Sequence, residues 1–131
     1  MPLYAADAYS AVEKTTATGR QLEAGALFRV ARTLQLAQEQ WGTPGGETKL
    51  DDAVRLNQKL WTFFQAELAE PDNPLPRELK LSLVRLIDFI DRRTFDVMAF
   101  PDPAKLTVLI NINRNIAAGL STSSNPAPAT V

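Results

Sequence analysis

Two carboxylate pairs, Asp51 with Asp52 and Asp88 with Asp91, are the first places in this chain to look for acid–base chemistry. Neither comes with a Gly-rich phosphate loop, a partner nucleophile or the oxygen-ligand spacing of a calcium loop, so neither assembles a recognisable site. The chain contains no His and no Cys. That removes the imidazole general base, the thiol nucleophile and the common nitrogen or sulfur ligands of zinc. No catalytic residue, cofactor or metal site is expected, and the protein reads as a non-enzyme.

Two other constellations suit recognition better than catalysis. Asn57, Leu60, Trp61 and Phe64 fall at helical spacing. They make either a core stripe, with Asn57 bonded to a nearby backbone group, or the wall of a groove in which large rings anchor a partner helix. Asn111, Asn113, Arg114 and Asn115 gather amides around one cation, with Ile116 following. Asn is an indifferent helix former, so this concentration costs stability and invites a reason. Asn113 lies on the apolar face and suits an inter-helix hydrogen bond, whereas Asn111 and Arg114 point outward toward a possible partner chain. The turn at residues 72–78, Asp-Asn-Pro-Leu-Pro-Arg-Glu, reads as the lead-in to a helix, with Leu75 as a hydrophobic staple.

Helices must position these groups. Ala5, Ala8, Tyr9 and Val12 recur at helical spacing and predict a short helix over residues 3–16. Thr18 followed by Gln21 fits a capping box and predicts a second helix from Gly19 or Arg20, with Leu27, Val30, Ala31, Leu34, Ala37 and Trp41 as its stripe. Gly42, Pro44, Gly45 and Gly46 break the pattern and predict a flexible loop. A third helix begins near residues 50–52. It carries Ala53, Leu56, Leu60 and Phe63 on one face and Val54, Asn57, Trp61, Phe64 and Leu68 on an adjoining one, which predicts a central helix. Pro71, Pro74 and Pro76 make an extended turn, with Pro76 as a first helical residue.

A fourth helix follows with Leu79, Leu83, Leu86, Ile87 and Ile90 on its stripe. Asp102 before Pro103 predicts the cap of a fifth helix running through Leu106, Leu109, Ile110, Asn113, Ile116 and Ala117 toward Gly119. Residues 110–113 also alternate as a strand would, but the longer period and the cap favour helix. From Ser121 the chain lacks charge and bulk, which predicts a disordered tail. The expectation is an all-α chain: a compact bundle of about five helices in one domain over residues 1–120, then a tail over 121–131.

The 131 residues suit one domain. Fourteen Lys and Arg against fifteen Asp and Glu leave a formal charge of −1, which lacks the footprint of a nucleic-acid binder. No basic leader precedes an apolar run, and no stretch approaches the length of a membrane span. A cytoplasmic protein without membrane insertion is expected.

The same segments resemble the FlaF family of alphaproteobacterial flagellar proteins. The resemblance rests on Tyr4-Ala5-Ala6 with Tyr9, on Thr15-Thr16-Ala17 through Leu22-Glu23, and on Asn57-x-x-Leu60-Trp61-Thr62-x-Phe64. Asn73-Pro74-Leu75-Pro76-x-x-Leu79 and the run from Ile112 through Asn113-Arg114-Asn115-Ile116 to Leu120 complete it. The chain departs from the family in a longer loop at residues 43–49, in Gly19 where Pro is common, and in the apolar run at residues 81–85. The resemblance implies a non-catalytic flagellum biogenesis factor that binds flagellin, through its terminal helices, and supports or regulates its secretion and synthesis. It also implies a link to the translation repressor FlbT, and the alternative reading is a regulator of flagellin mRNA acting alone or with FlbT. Asn57, Trp61, Phe64, Asn111, Asn113, Arg114 and Ile116 are the expected partner-binding residues.

Overall fold

The computed structural model describes the backbone of residues 2–123 and the side chains of residues 19–121. Four α-helices and one 3-10 turn make up its regular structure: α1 (Pro2–Glu39), α2 (Gly46–Ala69), α3 (Arg77–Ala99), the turn Pro103–Lys105 and α4 (Leu106–Ser123). The all-α expectation holds, and the count of five becomes four because the first two expected helices are one. Gly19 lies inside α1, where it keeps its backbone N–H and costs only about 1 kcal/mol relative to Ala, less than a continuous helix recovers. The side chains of the expected 3–16 stripe and of the cap at Thr18 fall outside the described residues.

Helix α1 is roughly 57 Å long by its rise per residue, and its C-terminal half forms the spine of the bundle. Leu27, Ala31 and Leu34 are fully enclosed, with Val30 and Ala37 beside them. Helices α2 and α4 pack along α1, and α3 packs on α2. Helix α4 runs antiparallel to α1. Gln38 near the end of α1 donates to the Pro103 carbonyl at 2.8 Å and to Thr107 Oγ1 at 2.9 Å, while Gly19 and Arg20 lie near Leu120 at the other end.

The glycine cluster makes a tight corner and not the expected flexible loop. The Thr43 N–H donates to the Gln40 carbonyl and the Gly46 N–H to the Thr43 carbonyl, at 3.1 and 2.9 Å. Gly42 and Gly45 hold φ at +86° and +78°, a region that a Cβ makes costly. Helix α2 consequently resumes at Gly46, earlier than the helical spacing placed it. A Cβ on Gly46 would sit 2.4 Å from the Gln40 carbonyl oxygen, so the approach of α2 to the end of α1 requires glycine.

Along α2 one of the two expected apolar faces is core, and the other is core only at Ala53 and, in part, Leu60. Val54, Asn57 and Trp61 are buried with Leu50 and Ala53, whereas Leu56 and Phe63 are exposed. Pro76 serves as the N-cap of α3 and not as its first residue. Leu79 is exposed, and Ile87, Ile90, Thr94 and Val97 carry the buried stripe. Asp102 caps as expected, accepting the Ala104 N–H at 2.9 Å. Residues 110–113 are helical, and α4 continues through Ser123, so the first residues of the expected tail are helix. The remainder, 124–131, lies outside the described residues.

Candidate functional site

A groove of about 290 Å³ opens at the end of the bundle where α1, α2, α3 and α4 meet the 71–76 turn. Its lining is mostly apolar. Leu27 and the edge of Trp61 form its floor, Phe64 and Leu68 of α2 one wall, and Ile116 and Leu120 of α4 the other. Leu83 and the Pro74–Leu75 pair close the third side. Asn73 holds that turn in place: its Nδ2 donates to the Glu67 carbonyl at 3.0 Å, and its Oδ1 accepts the Leu75 N–H at 3.1 Å. The side chain thereby satisfies an end carbonyl of α2 and fixes Leu75 over the groove.

Two carboxyls, Glu23 and Glu67, face each other at the groove edge beside Arg20. Burial pushes the Glu23 carboxyl above its ordinary range, the charge of Glu67 and a hydrogen bond to it push it further, and Arg20 opposes them. The mouth therefore carries two carboxyls and one guanidinium at the rim of an otherwise apolar groove.

Beneath the floor lies a buried polar chain. Trp61 Nε1 donates to Asn113 Oδ1 at 2.8 Å, and Asn113 Nδ2 donates to Asn57 Oδ1 at 2.8 Å. This ties α2 to α4 through side chains that water does not reach. Asn57 and Asn113 are 0 % exposed and Trp61 is 2 % exposed. Among the described residues the Asn57 Nδ2 group has no hydrogen-bond partner.

The expected partner-binding residues accordingly divide. Asn57, Trp61 and Asn113 come together in the interior, where they join α2 to α4, and Trp61 also lines the groove. Phe64 and Ile116 are half-buried and line the groove from opposite walls. Asn111 and Arg114 are exposed on the outer side of α4, and Arg114 is bonded to Gln35 of α1. Phe64 packs edge-on against Trp61, with ring centroids 5.4 Å apart, which limits its rotation and shapes the wall.

Sequence reasoning missed Glu23, Glu67, Leu83 and Leu120. Each lies on a different helix stripe, and no spacing connects Glu23 to Glu67. The carboxylate pairs that attracted attention are ordinary surface pairs: Asp51 bonds Arg55 at 2.7 Å and Asp88 bonds Arg92 at 2.9 Å, both across one helical turn. Among the described residues no cluster of three or more His, Cys, Asp or Glu could hold a metal ion, and no helix is long and apolar enough to cross a membrane.

A family model described as Flagellar protein FlaF matches residues 5–120. No curated protein and no solved structure matches the chain.

Proposed function

The chain belongs to the FlaF family of flagellar proteins, and from that membership we propose that its end groove holds an amphipathic terminal helix of flagellin before export. The observation that carries this reading is the groove itself: an apolar trough between α2 and α4, with a pair of carboxyls at its mouth. An amphipathic helix would place apolar side chains between Phe64 and Ile116 and a Lys or Arg against Glu23 and Glu67. Covering that helix would hide surface that otherwise drives premature assembly of subunits. The protein then acts as a non-catalytic chaperone and regulator of flagellin secretion in the cytoplasm, with FlbT as a further partner on the synthesis side.

The reading as an mRNA regulator has less support. Among the described residues Arg55, Arg92 and Lys105 are each paired with an Asp, and no segregated basic stripe with stacking rings replaces them.

Size-exclusion chromatography of the purified chain mixed with flagellin tests the proposal. A shared, earlier-eluting peak is expected at micromolar concentrations. Leu68→Lys or Ile116→Lys, checked for unchanged helical content, is expected to separate the peaks. Two unshifted peaks for the unmodified chain would overturn flagellin binding.

A further inference from the structure

Helix α3 is secured unevenly along its length. Its inner stripe runs through Leu79, Leu83, Leu86, Ile90 and Val97, at spacings of three, four and seven residues that share one side of a helix. From Ile87 onward the helix is anchored, with Ile87, Ile90, Thr94 and Val97 buried. None of residues 77–86 is buried, although five of these ten are Leu or Val. Leu79 is 44 % exposed, and Leu83 and Leu86 are half-buried.

The start of the helix is equally loose. Pro76 stands at its N-cap, where no side chain accepts a hydrogen bond from the first turn, and a proline ring offers no acceptor for the N–H groups left over there. The chain is next tied down at Asn73, whose side chain bonds the Glu67 carbonyl and the Leu75 N–H. Residues 77–86 therefore form a span of about 15 Å by helical rise, held at Asn73 on one side and at Ile87 on the other. Helices keep their shape chiefly through the apolar face they bury, and segments that bury little open locally at far less cost than global unfolding.

This span borders the end groove. Leu75 and Leu83 line the groove, and Leu79 lies one turn beyond Leu83 on the same stripe. The stripe is core from Ile87 onward and leaves the core where it reaches the groove. We propose, on the reading that the groove holds an amphipathic helix of flagellin, that residues 77–86 are a strap. They open by local unfolding in the free chain, admit the helix from the side, and close over it with Leu79 and Leu83 against its apolar face. Closure buries Leu79 and orders the span only when the groove is filled, so the strap governs release more than arrival.

Hydrogen exchange read by mass spectrometry tests this on the full chain, alone and in its co-eluting complex with flagellin. In the free chain, amides 81–86 are expected to exchange at least about tenfold faster than amides 90–97, and in the complex to slow by at least about tenfold. Leu79→Lys, at an exposed position, should leave the circular dichroism and the urea midpoint unchanged and raise the flagellin dissociation rate at least about fivefold. Leu79→Met should keep release slow. Free-chain amides 81–86 as protected as amides 90–97 overturn the strap whether or not flagellin binds. A complex that co-elutes yet leaves amides 81–86 unprotected, or a Leu79→Lys chain that releases flagellin at the unmodified rate, overturns the strap while capture in the groove stands. A mixture that never co-elutes brings down flagellin binding itself, and the strap with it.

Discussion

Trp61 and Asn113, on helices distant in sequence, are joined by a hydrogen bond of 2.8 Å at a position closed to water. Removing the indole N–H leaves the Asn113 carbonyl oxygen buried and unpaired, which costs about 1 to 3 kcal/mol. Trp61→Phe is therefore expected to lower the unfolding free energy by that amount, with a correspondingly lower urea midpoint, and Trp61→Ala to cost about 3 to 5 kcal/mol, because a large cavity follows. Equilibrium unfolding followed by circular dichroism separates the two.

Asn57, Trp61 and Asn113 form one unit, so their effects should not add. Asn57→Leu strands an Asn113 donor, and Asn113→Leu strands both neighbours. Replacing all three polar groups at once, as Asn57→Leu, Trp61→Phe and Asn113→Leu, strands none of them. The triple variant is expected to be more stable than the sum of the single losses by about 2 kcal/mol, within the usual range for coupled residues. Unfolding free energies of the full mutant cycle provide the check.

Two glycines should answer the same substitution with opposite signs. Gly19 is inside α1 with nothing within 4 Å of a new Cβ, so Gly19→Ala should stabilise by about 0.5 to 1 kcal/mol through helix propensity. Gly46→Ala meets the Gln40 carbonyl and should destabilise sharply, with a loss of at least about 2 kcal/mol, since backbone must move to admit it. Thermal melts of both variants decide this.

Glu23 titrates above its ordinary range when folded, chiefly through burial, then through Glu67, against the pull of Arg20. The native state accordingly binds this proton more readily than the unfolded chain does. Stability is favoured at pH below the ordinary carboxylate range and declines as pH rises through the raised value. Glu23→Gln removes that decline. It is expected to raise the melting temperature at neutral pH, with the gain shrinking toward zero in acid, as melts across a pH series would show.

Much of this architecture can be read from spacing alone, and its departures have identifiable causes. The stripe of Leu27, Ala31 and Leu34 and the cap at Asp102 follow from period and turn chemistry, and both stand in the fold. The break near Gly19 fails because a capping pattern is a local preference that a long helix overrides. The Gly42–Gly46 cluster is legible as punctuation, but its tightness depends on the Gln40 carbonyl, which composition does not reveal. Asn57 and Asn113 stand out as polar residues on apolar stripes, and their pairing with Trp61 requires α4 to fold back beside α2. The groove is least legible, because Phe64, Leu83 and Leu120 come together only through the packing of separate helices.

The link between Trp61 and Asn113 also orders events during synthesis. Helices α1 and α2 and their corner leave the ribosome first and can collapse as a hairpin. Their tryptophan waits for an acceptor that arrives only with α4. A nascent chain thus carries an unfinished seam until α4 has been made.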